Sequence, residues 1–228
     1  MTAMTYTLVR SRKRRKTLSI QIGSGGSVLV RVPYRTPQRE IDCFLAEKQQ
    51  WLRNKIASEL ERQGEKRPRM FGPGESFLFL GESFPLRIDE QGRRSEALSF
   101  TGWEFVLSGE ARPGARALFF LWYRRKAQEL IAERVDHFSR ALGLLPRTVS
   151  IGRARCRWGS CSADHRLAFT WRLIMAPPEV IDYVVVHELA HMRIPNHSRD
   201  YWAFVESVLP DYGKRRDWLK EKGHLLSL

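Results

Sequence analysis

Cysteine, acidic residues and long apolar runs are all in short supply in this chain, and each shortage closes off a class of protein. The three cysteines, Cys43, Cys156 and Cys161, are odd in number and follow no framework spacing. That excludes a small scaffold stapled by disulfides and suits a reducing compartment. No stretch approaches the roughly 18 consecutive apolar residues of a membrane-spanning helix. The opening MTAMTYTLVRSRKRRKTLSI carries positive charge without an apolar core behind it, which is not the pattern of a secretory signal. A soluble, cytoplasmic protein with no membrane partner is the expectation. No internal repeat is visible, so a solenoid is not expected. Acidic residues number 25 against 39 Lys and Arg, a formal net charge of +14. Such a field draws polyanions but does not specify a fold. Nucleic acid, nucleotides and acidic proteins all fit it, and so does a plain solvated surface.

The 228 residues are 43% hydrophobic, with seven Trp and twelve Phe, enough for a real core in one or two domains. Residues 5–9, 17–22 and 27–32 read as short strands. The last two alternate apolar and polar residues around Gly23-Ser24-Gly25-Gly26, a hairpin pattern. Between them and the first strand, six of residues 10–16 are basic. They form either an anion-binding arm or a hairpin end bathed in water, and charge runs are more often solvated. Thr36 and Pro37 suit a helix start. Ile41, Phe44, Leu45, Trp51, Leu52 and Ile56 then recur at near-helical spacing, predicting one helix to about residue 62. Residues 64–74 read as a linker and 76–107 as β-structure with a turn at Gly81-Glu82. A second break at 109–114 precedes a long helix over 115–143 that stops at Gly143. Segments 147–152 and 166–174 read as strands around a loop. The fold class expected is α+β, with an N-terminal hairpin and helix region over 1–112 and a catalytic region over 113–228.

Residues 184–198 read V-V-V-H-E-L-A-H-M-R-I-P-N-H-S. On a helix, His187 and His191 lie four positions apart, so both project from one face and can chelate one ion. Glu188 follows the first of them, placed to reach a water on that ion without being a ligand. This is the H-E-x-x-H pattern of metallohydrolases, in which zinc activates water and the glutamate takes its proton. His197 lies six residues beyond His191, the offset of a third ligand in the metzincin pattern. Pro195 and Asn196 supply a sharp return in place of that pattern's glycine. Glu206 is a rival third ligand, and satisfied core histidines are the bland alternative. The β-branched Ile181, Val184, Val185 and Val186 favour a strand by propensity. The apolar face of Ile181, Val184, Val185, Leu189 and Met192, with Pro178 and Glu179 at its start, favours a helix. We take the helix.

Beside this segment, Arg157 or Arg172 could place a guanidinium near developing negative charge. Asn196, Ser198 and Asp211 could orient the imidazoles, while Ser198 could instead cap the next helix. Cys156 and Cys161 are read as buried thiols rather than ligands.

With these residues in hand, the sequence from Arg157 to Lys220 resembles the YgjP-like metallopeptidase family, relatives of SprT-like and WLM metalloproteases. The matching pieces are R-W-G-S-C (157–161), W-R-L-I (171–174), V-I-D-Y-V-V-V-H-E-L-A-H (180–191), N-H-S-x-x-Y-W (196–202) and P-D-Y…W-L-K (210–220). A weaker match reaches the N-terminal strands and the helix around Trp51. The resemblance implies a zincin-like core, one Zn2+ per chain held by His187, His191 and His197, and Glu188 as catalytic base. Tyr201 stands where the family commonly has Phe, and Thr170 where it commonly has Asn. A zinc metallopeptidase acting on a polypeptide is the leading expectation. A metal-dependent nucleoside triphosphate phosphohydrolase keeps the metal and changes the substrate. A DNA-associated protease or binding module draws on the basic arm. An extended cleft beside a strand edge suits a peptide, and a compact basic pocket suits a nucleotide.

Overall fold

A computed structural model of the chain describes residues 5–64, 69–91 and 96–228. The expected linker at 64–74 lies partly outside them. The fold is mixed α+β, with three small mixed sheets and six α-helices among the described residues. The chain divides into two compact units, Met1–Pro68 and Arg69–Leu228. The break at 109–114 therefore falls within the second unit.

In the first unit, β2 (Ser19–Ile22) and β3 (Val28–Pro33) form the expected antiparallel hairpin. β1 (Tyr6–Ser11) pairs parallel with β3, which becomes the central strand. Alternation puts Val28, Val30 and Val32 on one buried face. They pack with Ile41 of α1 (Gln38–Glu47) and Leu52 of α2 (Gln49–Gly64). The single helix expected here is broken at Lys48 (φ −93°, ψ 5°). Ile41 and Leu52 would share a face but stand about 16 Å apart along a straight helix; both are buried in one cluster with the sheet valines, and Trp51 is left exposed. Pro37 rather than Thr36 occupies the N-cap, without a side-chain hydrogen bond. Part of the basic stretch is tied down: Arg10 donates to the carbonyls of Tyr34 and Thr36, and Arg12 lies over the Tyr34 ring.

The second unit is organised by two helices. The buried residues of α3 (Ala115–Leu142) include an unbroken i+4 row, Ala115, Phe119, Tyr123, Ala127, Ile131 and Val135. Gly143 ends it in the left-handed region, with Leu144 N–H bonded back to Ser139. On one part of this row lies a four-stranded sheet of order β4-β5-β7-β6: β4 (Ser76–Phe79), β5 (Glu82–Asp89), β6 (Leu98–Phe100) and β7 (Phe105–Ser108). Phe77 stacks on Phe119 at 4.1 Å between ring centroids, and the Tyr123 hydroxyl donates to the Leu78 carbonyl at 2.7 Å. The second sheet has order β8-β10-β9, with β10 (Arg166–Thr170) parallel to β8 (Thr148–Gly152) and antiparallel to β9 (Gly159–Cys161). The strand expected to run to 174 ends at Thr170, and Trp171–Met175 form a 3-10 turn. Its Ile174 and Met175 carbonyls accept from the N–H groups of Leu80 and Gly81. Those two residues form the β4–β5 hairpin turn, both at positive φ (51° and 85°), one residue earlier than the sequence suggested. A Cβ on Gly81 would lie 2.7 Å from Pro177, so the hairpin tip sits directly on the start of the next helix.

That helix, α4 (Pro178–Ala190), opens with Pro177 at the N-cap and Pro178 in its first turn. Nine of its thirteen residues are buried, so its apolar character wraps all round rather than forming one stripe. Burial on every side outweighs the strand propensity of its β-branched residues. α3 and α4 are clamped by a bidentate ion pair, Arg134 to Asp182 at 2.6 and 2.9 Å, with both side chains partly buried. Arg134→Ala should therefore cost about 1–3 kcal/mol of stability, measured as a lower urea midpoint with an unchanged slope. An unchanged midpoint would show that the pair does not hold the helices together.

Candidate metal centre

The last turn of α4 carries a group of polar residues on a largely buried helix. His187 and Glu188 lie within it, and His191 is its C-cap, still in right-handed helical geometry. The chain then turns through Met192–Ile194, with Ile194 N–H bonded to Ala190 at 2.9 Å, and Pro195-Asn196 return it toward the helix. Asn196 Oδ1 accepts from Ser198 N–H, and Ser198 Oγ caps α5 (Arg199–Val208) by accepting from Tyr201 N–H. His197 is thereby delivered to the two helix histidines. Among the described residues, His187, His191 and His197 form a group that can hold a metal ion, with one ligand atom from each inside a 4.8 Å span.

Two features test the fit. His187 Nε2 and His197 Nε2 are 3.3 Å apart. Two nitrogens bound at ~2.0–2.1 Å to a tetrahedral ion stand roughly 3.3–3.4 Å apart, so the pair already has the edge length of such a site. The other ring nitrogens are also engaged. His191 Nδ1 lies 3.2 Å from the Ile194 carbonyl, which can only accept, so Nδ1 carries the proton. The buried Tyr201 hydroxyl donates to the His187 carbonyl at 2.9 Å and lies 2.7 Å from His187 Nδ1, from which its oxygen accepts. Both helix imidazoles therefore present an unprotonated Nε2. Burial, followed by the neighbouring His191 and His197, pushes the His187 pKa down to about 3, favouring that neutral form. The ring of His197 stacks on Trp202.

Glu188 is 5% exposed. Its carboxylate lies against the backbone of Gly159 in β9, where a Cβ would stand 2.5 Å from Glu188 Oε1. Only glycine leaves room for it. Burial raises the Glu188 pKa to about 7, and the Arg157 guanidinium opposes that rise. A cavity of about 330 Å3 opens beside His187 and Glu188, lined in part by Arg157, Trp158, Tyr183 and Arg216.

The remaining residues singled out from the sequence sit as follows. Arg157 lines this cavity. Arg172 donates to the Ala154 carbonyl at 3.4 Å and lies over the Trp171 ring. Thr170, buried, donates to the same Ala154 carbonyl at 2.9 Å, bracing the loop before β9. Asp211 pairs with Arg215 at 2.9 Å in α6 (Tyr212–Lys222). Glu206 is exposed on α5 and is not one of the group of three. Cys161 is partly buried in β9, while Cys156 is exposed, against expectation, because it lies in the loop ahead of the strand.

Sequence reasoning did not anticipate Tyr201 as the partner of His187, nor Gly159 as the wall beside Glu188. The signal for the first was present, since Tyr replaces a common Phe at this one position. Tyr201→Phe removes the hydroxyl while keeping the ring, so metal affinity should weaken about 10–100-fold, read by competition with a chromogenic chelator. Equal affinities would show that the hydroxyl does not set the imidazole.

The crystal structure of the metallopeptidase zymogen of Pyrococcus abyssi abylysin is similar to this chain, with 22% identity over 38% of this chain and 89% of that one. Its TM-score of 0.36 is too low to bear on fold or site. No curated protein matches the sequence. The family model for the YgjP-like metallopeptidase domain matches residues 16–222, and the chain belongs to that family.

Proposed function

We propose that this protein is a zinc-dependent peptidase holding one Zn2+ per chain on His187, His191 and His197, with Glu188 as general base in a zincin-like core. The observation that carries this reading is the convergence of three histidine ligand atoms within 4.8 Å beside a buried glutamate. When bound, the ion would supply Lewis-acid polarisation of a water and a carbonyl. The chain's own groups do the rest. Tyr201 and the Ile194 carbonyl hold the helix imidazoles in one tautomer. Gly159 leaves space for the Glu188 carboxylate, which takes the proton. Since β9 is the outer strand of its sheet, a substrate backbone can add along it and pass Glu188. A polypeptide substrate follows from family membership.

A second reading, hydrolysis of a nucleoside triphosphate, draws support from the basic residues around the neighbouring cavity. Elemental analysis of purified wild type, His187→Ala and Glu188→Gln, each assayed on a denatured protein and on nucleoside triphosphates, tests both. Wild type and Glu188→Gln should carry one zinc per chain and His187→Ala none. Glu188→Gln should lose a factor of about 10²–10⁴ in kcat on the true substrate. Wild type that neither contains nor takes up zinc would sink the proposal. Removing the ion with a chelator should also lower Tm, because the ion binds only the folded chain. An unchanged Tm would mean that zinc does not bind at the folded site.

A further inference from the structure

We propose that the cavity beside the histidine group is an anion subsite, in which Arg157, Arg216 and Lys220 receive an oxyanion group carried by the substrate next to the bond that is cut. The inference rests on the metallohydrolase reading of the site for its orientation, and on the cavity itself for its chemistry. His187 and Glu188 form one wall, so whatever occupies the cavity is adjacent to the reacting centre. Three of its ten lining residues are basic and only Glu188 is acidic. Arg216 and Lys220 are four residues apart on α6 and share a face, while Arg157 comes from the loop that leads into β9. The excess of basic over acidic groups around one concavity favours an anion as its occupant.

Val184, Leu219 and the rings of Trp158 and Tyr183 give the space apolar walls, and Arg157, Arg216 and Lys220 line it as exposed residues. Trp158 is fixed from behind, since a Cβ on Gly223 would lie 2.7 Å from its ring. The Arg216 guanidinium is positioned too. Its central carbon lies 5.2 Å from the Trp202 ring centroid and 6.0 Å from that of Tyr212, two rings stacked at 5.3 Å. Stacking engages the face of a guanidinium and leaves its N–H edge for a planar carboxylate or a phosphate. Trp202 also stacks on His197, so the arm that holds Arg216 is continuous with the proposed ligand set. The shared chemistry is an oxyanion, from either an acidic peptide side chain or a nucleotide phosphate.

The test is equilibrium binding to the zinc-loaded full chain carrying Glu188→Gln, with and without Arg216→Gln. Three probes are titrated calorimetrically: a hexapeptide pool with Glu at its variable positions, the same pool with Gln, and a nucleoside triphosphate. The Glu pool or the triphosphate should lose about tenfold in affinity on Arg216→Gln, the size of one charge-assisted hydrogen bond. The probe that loses affinity identifies the source of the anion. Arg216→Lys, which keeps the charge but not the fork, should lose less, and Lys220→Gln should lose affinity in the same direction. Equal binding of Glu and Gln pools, with triphosphate affinity unmoved by Arg216→Gln, would overturn the subsite. Zinc content measured on the same samples reports separately on the metal reading.

Discussion

The requirement that α4 be buried on all sides governs this structure. A helix apolar around its circumference is stable only inside, so α3, α5, α6 and β9 have to enclose it. The enclosure opens at the last turn, where His187, Glu188 and His191 lie. Burial brings Glu188 out of water and forces β9 to carry glycine where the carboxylate lies. It also requires partners for the imidazole nitrogens that do not face the group of three, and the Ile194 carbonyl and the Tyr201 hydroxyl provide them.

The elements further out set the placement of that opening. The hairpin turn at Leu80-Gly81 bonds to the carbonyls before α4 and rests on Pro177, fixing the start of the helix. The Arg134–Asp182 pair fixes its rotation against α3. The Pro195-Asn196 return and the Ser198 cap bring His197 and Tyr201 back along the last turn from the opposite direction. Family membership and this geometry agree on a metallopeptidase-type centre, while the basic, aromatic cavity at its side is a separate chemical feature of the same opening.

Local rules made much of this legible. Alternating Val28, Val30 and Val32 announced the buried face of a strand, and helical periodicity announced α3, as Gly143 announced its end. Spacing alone brought His187, Glu188 and His191 to one helix end. Misjudged elements were those decided at a distance. The 3-10 turn at Trp171–Met175 exists because its carbonyls meet the β4–β5 turn some ninety residues earlier in the chain. No Gly or Pro marks the break at Lys48.

Residue type and short spacing are local properties, so the sequence by itself determined the helix that bears His187, Glu188 and His191 at its end and the short return to His197. What only the tertiary structure decided is which groups complete them. The Tyr201 hydroxyl is fourteen residues from His187 and Gly159 is twenty-nine from Glu188. Arg216 and Lys220 reach the same opening from α6. No local periodicity links these positions, because each partnership comes from the way separate elements pack around one buried helix.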